Sequence, residues 1–412
     1  MAFAFRWLTG LRTGSCGAAQ QQHQQTPPPG CCQSLVCYQE RFLILFGGGS
    51  LYHFSNEVYV YDLTCRSWSC KQPENSDIVA PRLGHSAVIY KDAMIVYGGQ
   101  DLHSPVVYDE VLQLDLIAWR WSLLHRAPPY PEGPGARRLH SAHVIGDCMY
   151  VLLGVPFQTD ESLVWSLDLG TGVWCDVRPM LAPLPADHGY DLGHRDPQQR
   201  LCGCCTEVSG SSIYAFGGYL VSEGDDDSRY DTLTYVQTLY EFNAVGNTFR
   251  WLQPAFPFPQ PPRRYASAMA VHRGYVYIFG GDANQEDVTR YFDDVWRIRV
   301  DNDDIGPWER VSVAGVGPSP RSGCGYTYAR SSLYLVGGEM SRRELLHNES
   351  YSNEVFALPL GYSCGLSLRD NVARWIGLLP PQQAPSLPLR TAWLREHLPL
   401  GARQALEPYM RC

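Results

Sequence analysis

Apolar and polar positions along this chain fall into short runs that recur. An apolar run ending in glycine appears at residues 42–48 (FLILFGG), 94–99 (MIVYGG), 150–154 (YVLLG), 213–218 (IYAFGG), 275–281 (YVYIFGG) and 333–338 (LYLVGG), with Leu153 standing where the other copies have their first glycine. A second apolar run lies ahead of it across a short polar gap, as in HSAVIY at 85–90 before MIVYGG. A third run, behind it, carries alternation: EVYVYDL at 57–63 and EVLQLDL at 110–116. Runs of this length, rich in β-branched and aromatic residues and bounded by turn formers, predict strands. A tryptophan closes each of the first five copies: Trp68, Trp121, Trp174, Trp251 and Trp308. In the first three an aspartate precedes it by six residues (Asp62, Asp115, Asp168), while Asn243 and Asp301 stand slightly further ahead in the fourth and fifth. Self-similarity at a period of about 50–65 residues means one supersecondary unit repeated, none of which buries its apolar faces alone.

The repeat resembles the kelch repeat. The order of runs fits the four strands of a propeller blade, with glycines where backbones crowd near the hub and the tryptophan as an apolar wedge between blades. The chain is therefore expected to be all-β, a six-bladed kelch β-propeller followed by a short α-helical C-terminal box. The sixth copy ends at 354–361 (EVFALPLG) without a tryptophan, and residues 3–11 (FAFRWLTGL) hold one before any first strand. The triplet FRW recurs at 249–251, which predicts residues 3–11 as the closing strand of blade six, beside 351–360. Ring closure removes an exposed sheet edge. The same segment is basic, with no acid before Glu40, and a targeting peptide is the alternative. The expected organisation is a propeller over 1–361, with a low-complexity loop over 12–30, and a tail over 362–412.

Composition narrows the function classes. A chain of 412 residues, 45% hydrophobic, can bury a large core, and its formal charge of −9 argues against general binding of nucleic acid or anionic membrane. No apolar run approaches the length that spans a bilayer. The 14 cysteines include adjacent pairs at 31/32 and 204/205 and lie largely on predicted strands; with no secretory signal in view they read as reduced thiols of a cytoplasmic or nuclear protein. The Cys-x-Cys-Cys stretch at 202–205 lacks a second half for a tetrahedral site, so no metal and no cofactor is expected. Residues 180–200 lengthen the entry to blade four, and the acidic stretch 222–234 reads as a solvated loop within it.

A basic residue precedes the first strand of five copies: Arg82, Arg137/Arg138, Arg200, Arg264 and Arg321, several followed by a hydroxyl at Ser86, Ser141 or Ser267. Equivalent positions of a circular repeat share one face, so Arg82, Arg138, Arg200, Arg264 and Arg321 with these serines are the candidate substrate-binding set, suited to a carboxylate. The alternative is that the arginines bond loop carbonyls within the blades. His85 and His140 read as structural, and the periodicity places Tyr265, Tyr291 and Trp165 toward the same mouth.

After residue 361 the period changes. SLRDNVARWIGLL (367–379) has helical spacing with Ser367 as N-cap, and further helical patterns follow. This tail resembles the box that docks substrate receptors onto Elongin B/C and a cullin: Ser367, Leu368, Val372 and Ile376 match its Elongin-binding positions, with Val372 where the family has Cys or Ala, and Leu398, Pro399 and Leu400 match its cullin-binding part. Gly401, in place of a second proline, leans toward cullin-2 over cullin-5. Propeller and tail together resemble the kelch-domain-containing substrate receptors of cullin-2 ubiquitin ligases. The resemblance implies a non-catalytic adaptor that recognises a degron, such as a C-terminal carboxylate, in peptide segments of its substrates. A kelch scaffold without a ligase is the alternative, with the tail as a cap. An enzyme of the copper-oxidase, mutarotase or lyase kind is the third, but no copper-ligand constellation, P-loop or GxSxG is present.

Overall fold

The computed structural model describes residues 5–8, 26–50, 53–101, 104, 106–155, 163–181, 201–220, 234–252, 259–285, 288–301, 304–340 and 351–360. Within them the regular structure is β apart from a 3₁₀ turn at Ser76–Ile78. Six antiparallel sheets follow in chain order. Blade one is Ser34–Tyr38, Phe42–Phe46, Val58–Asp62 and Ser67–Lys71, and blade two Ser86–Tyr90, Ala93–Tyr97, Glu110–Asp115 and Arg120–Arg126. Blade three is Ser141–Ile145, Cys148–Leu152, Val164–Asp168 and Trp174–Asp176, and blade four Cys205–Ser209, Ser212–Phe216, Leu239–Asn243 and Thr248–Leu252. Blade five is Ala268–His272, Tyr275–Phe279, Val295–Asp301 and Asp304–Val311. Blade six keeps Gly325–Ala329, Ser332–Val336 and Val355–Pro359.

The first strands of successive blades touch one another in a closed cycle, blade six returning to blade one. They therefore line a common axis, and the chain is the six-bladed propeller the period predicts. The second strands are deeply buried, Ala93–Tyr97, Ser212–Phe216 and Ser332–Val336 at every position. That is why they read as unbroken apolar runs rather than alternating ones.

The tryptophans are wedges. Trp121 of blade two packs on Phe46 of blade one at 5.2 Å between ring centroids, Trp174 on Tyr97 at 5.4 Å, and Trp308 on Phe216 at 5.2 Å. Each sits on the aromatic that precedes the glycine pair of the blade before. Trp7 does the same, on Phe279 of blade five at 5.0 Å and edge-on to Phe356 of blade six. Next to it, the Leu8 N–H donates to the Ala357 carbonyl at 2.9 Å in an antiparallel bridge. A second regularity agrees. The chain leaving blade one touches the outermost strand of blade two in parallel (Glu74 beside Arg120), and the chain leaving blade three does so at blade four (Met180 beside Thr248). Val313–Ala314, leaving blade five, run parallel to Phe5–Arg6 in the same way. The N-terminal segment thus occupies the outermost position of blade six. The helical patterns of 362–412 lie outside the described residues.

Candidate functional site: the mouth of the propeller

At the face where the chain enters the innermost strands, each blade makes one tight turn. The turn residue has positive φ in all six blades: Cys32, Gly84, Leu139, Gly203, Ala266 and Gly323. These residues hand hydrogen bonds around the axis. Leu139 N–H donates to Gly84 O at 2.8 Å, Gly203 to Leu139 at 3.1 Å, Ala266 to Gly203 at 3.1 Å, Gly323 to Ala266 at 2.9 Å and Cys32 to Gly323 at 2.7 Å. Backbone groups that would otherwise be unpaired at the hub are satisfied by one another, and the collar so formed frames the mouth.

The arginines stand two residues before this collar, and they point into the blades. Arg82, Arg137, Arg264 and Arg321 are buried to 2% exposure or less. Each donates Nη1 to the carbonyl that ends its own blade's second strand: Gly98 at 3.0 Å, Leu153 at 2.9 Å, Gly280 at 3.0 Å and Gly337 at 2.9 Å. Arg82 Nη2 pairs with Glu110 at 2.8 Å, and Arg264 Nη1 with Asp294 at 2.6 Å. Their guanidiniums lie over Tyr108, Phe292 and, for Arg321, Phe356. Burial alone would raise the Asp294 pKa, but the hydrogen bond and charge of Arg264 hold it below the usual carboxylate range. Unpaired, such buried carbonyls and charges would be costly.

The expectation that Arg82, Arg264 and Arg321 present their guanidiniums to a ligand is thereby corrected: those groups are already committed inside the blades. Ser86 and Ser267 are buried and engaged as well, Ser86 Oγ with His140 Nε2 at 2.8 Å and Ser267 Oγ with Gly280 O at 3.0 Å. Ser141 is half-buried at the start of its strand. Arg200 lies outside the described residues, as do Ser367, Leu368, Val372, Ile376, Leu398, Pro399 and Leu400. The blade-four counterpart of the buried arginines is Leu201: its carbonyl accepts the Gly154 N–H, as the Arg137 carbonyl accepts from Gly99 and that of Arg264 from Gly218. Leu201 packs in one cluster with Leu153, the residue in the first-glycine position of blade three.

Among the described candidate arginines, Arg138 differs from Arg82, Arg264 and Arg321. It is half-buried and its backbone bridges Val155 rather than entering the blade. Around it, where blades three, four and five meet, Tyr219, Tyr235 and Tyr265 form an aromatic trio with centroids 5.5 to 6.4 Å apart, packed with Val155, Cys202, Ala283, Phe292 and Leu139. Burial pushes the Cys202 thiol up to about 12, with the Arg138 charge opposing. Tyr265 thus lies where the periodicity places it. Tyr291 is on the blade-five hairpin that returns beside Asp282. Trp165 is instead 1% exposed in the core between blades two and three. Tyr219 and Tyr235 carry no repeat signal of their own, and sequence reasoning passed over them.

The histidines are seams. His85 Nε2 meets Ser34 Oγ of blade one at 2.9 Å, His140 meets Ser86 of blade two, and His143 Nε2 meets Thr206 Oγ1 of blade four at 2.8 Å. Burial holds the His85 pKa down at about 3 and that of His143 at about 4, and His140 is lowered for the same reason. The described cysteines are all free thiols, several of them weak donors to strand carbonyls, as Cys204 Sγ is to Gly217 O at 3.0 Å. Among the described residues no group of His, Cys, Asp and Glu side chains is placed to hold a metal ion, and no helix is long and apolar enough to cross a membrane.

The Attractin/LZTR1 β-propeller family matches residues 43–290 of this chain. Human Kelch domain-containing protein 3 is 27% identical over 294 residues, 68% of this chain and 69% of that protein. The Drosophila melanogaster Leucine-zipper-like transcriptional regulator 1 homolog is 25% identical over 268 residues, 61% of this chain and 24% of that protein. The Thlaspi arvense N-(sulfonatooxy)prop-2-enimidothioate sulfolyase is 25% identical over 312 residues, 70% of this chain and 82% of that enzyme.

Proposed function

The chain belongs to the Attractin/LZTR1 β-propeller family, and from that premise we propose that it is the substrate-recognition subunit of a cullin-RING E3 ubiquitin ligase. The subunit is non-catalytic and works in the cytoplasm, the nucleus or both. Its mouth captures a peptide segment of a substrate, and its tail docks Elongin B/C and cullin-2 (or cullin-5). The observation that carries the capture step is Arg138 beside the tyrosine trio. The Arg138 charge acts on Cys202 at this seam. The partly exposed Tyr265, backed by the buried Tyr219 and Tyr235, puts an aromatic edge beside that cation. Such a pairing suits a terminal carboxylate and the residue before it. Free chain termini are a known class of peptide ligand that needs such convergent donors. The docking step is supported by the match of Ser367, Leu368, Val372 and Ile376 to the Elongin-binding pattern.

Peptides with free and amidated C-termini, screened against the purified chain, test the capture step. Free termini are expected to bind more tightly, and Arg138→Ala to erase the difference. Equal binding of both forms would sink a carboxylate reading. Recovery of Elongin C by the intact chain, and its loss with Leu368→Asp, tests docking. Removal of residues 362–412 separates the scaffold alternative: a docking tail leaves a well-folded propeller behind, a capping tail a destabilised one.

A further inference from the structure

The innermost strand of each blade has one backbone edge without a neighbouring strand, turned to the axis. In blade four the register sets Cys205, Thr206 and Glu207 opposite Phe216, Ala215 and Tyr214 of the second strand. Both backbone groups of Thr206 go to a single hydroxyl. Tyr326 Oη accepts the Thr206 N–H at 2.8 Å and donates to Thr206 O at 3.0 Å. Tyr326 belongs to blade six, 120 residues away, so the link reaches past the whole first strand of blade five. It packs there against the cluster that holds Met269 and Val271 of that strand. Thr206 is held from the opposite side too, by His143 Nε2 on its hydroxyl. Two residues further along the strand, Val208 N–H is taken by the Glu207 carboxylate at 3.0 Å. Three blades thus meet at one threonine, a single rung of strand below the collar.

We propose that Tyr326 is the floor of the mouth: its ring and hydroxyl close the axis directly beneath the collar, so that a ligand at this face meets the floor and does not thread the propeller. The closure stands on the geometry alone; only its bearing on peptides rests on the receptor reading above. It restricts the site to chain ends and turns, because an extended segment cannot pass through. It also accounts for a repeat irregularity, since the other first strands carry Leu35, Ala87, Ala142, Thr206 and Met269 at this level and none of these has the reach of a tyrosine.

Amide hydrogen exchange on the full chain, resolved at single residues and with no peptide present, tests the floor separately from the receptor reading. In the unmodified protein the Thr206 amide, whose N–H goes to the Tyr326 hydroxyl, is expected to exchange at least about 100-fold more slowly than an unprotected amide. Tyr326→Phe keeps the ring and removes both bonds; it is expected to speed Thr206 exchange about 10-fold and to leave the strand-paired amides of Glu207 and Ser209 unchanged. Tyr326→Ala removes the ring as well, and is expected to speed Val208 in addition. Rapid exchange of Thr206 in the unmodified protein would overturn the proposal. So would uniform acceleration of Thr206, Glu207 and Ser209 in Tyr326→Phe, which marks a general loosening of the blade, or a Val208 amide unmoved by Tyr326→Ala.

Discussion

Blade two and blade four follow the same strand order and are held by different means. Blade two has Arg82 locked to Gly98 and Glu110 and stacked on Tyr108. It has His85 bonded across the seam to Ser34, Trp121 fully buried on Phe46, and Asp92 accepting from Tyr38 of blade one at 2.5 Å. Blade four has Leu201 in the arginine position and Cys204 in the histidine position, donating to Gly217. Its Trp251 is half-exposed. At its far turn Ser212 bonds Glu241 and Ser211 receives Asn243, all within the blade. An arginine that a leucine can replace is serving the blade, not a ligand. The replacement works because it comes in a pair: Leu201 meets Leu153 of blade three, and an apolar contact stands where a guanidinium and a glycine stand elsewhere.

The largest effect that tests this comparison is at the arginine itself. Arg82→Ala is expected to cost about 3–5 kcal/mol, because it strands the buried Gly98 carbonyl, leaves Glu110 with Arg126 alone and empties a fully buried side-chain site. Leu201→Ala should cost about 2–4 kcal/mol, as a cavity without a lost ion pair. Denaturant midpoints measure both, and an Arg82→Ala protein as stable as the parent would mean that the guanidinium is not structural. Next come the wedges. Trp7→Ala should match Trp308→Ala at about 3–5 kcal/mol, with Trp251→Ala well below either. A Trp7→Ala variant with unchanged stability would break the closure of blade six.

The pH effects are smaller. His85 carries a folded pKa of about 3 against an ordinary 6.5, so its stabilising contribution is intact above pH 6.5 and drains away as pH falls toward 3. His85→Gln, which copies Gln33 of blade one, should flatten that acid limb of melting temperature against pH. Glu207 runs the other way. Burial in the axis pushes its carboxyl up to about 8 from 4.5; the unfolded chain releases this proton first, and stability falls as pH rises from 4.5 through 8. Glu207→Gln should therefore gain stability relative to the parent at pH 8 and show little difference at pH 4. A parent and variant with parallel pH profiles would contradict the burial of the carboxyl.

The fold was legible because the repeat averages over six copies, so that Leu153, the missing sixth tryptophan and the displaced Trp7 stood out as departures from a rule. The mouth was less legible. A position repeated around a ring shows where a Cα lies but not which way a side chain turns, and Arg82, Arg264 and Arg321 turn inward. One signal was available: each buried arginine stands 16 residues before the carbonyl it bonds. A side chain that serves its own blade must keep that register, whereas one that serves a ligand is free of it. Arg200 missed the register by one residue; the positive φ at Gly203, which aligns the turn with Gly84, and the Leu201 carbonyl that accepts from Gly154 mark Leu201 as the true counterpart. The tyrosine trio was invisible because the hairpin after the glycine pair recurs in position, as at Gly49–Phe54 and Asp282–Tyr291, but Tyr219 and Tyr235 have no sequence counterpart there.

Leu8 and Ala357 exchange their bonds from nearly opposite ends of the chain, and this sets the order in which the molecule can be finished. The strand synthesised first is the strand completed last. Phe5–Arg6 and Trp7 can meet Val313–Ala314 and Phe279 once blade five is made. Leu8 has no strand to bridge until Val355–Pro359 are in place, and until then the propeller stays an open arc. The longest loop closure in the chain is thus its final one, which places the slow step of folding at the seam between blades five and six.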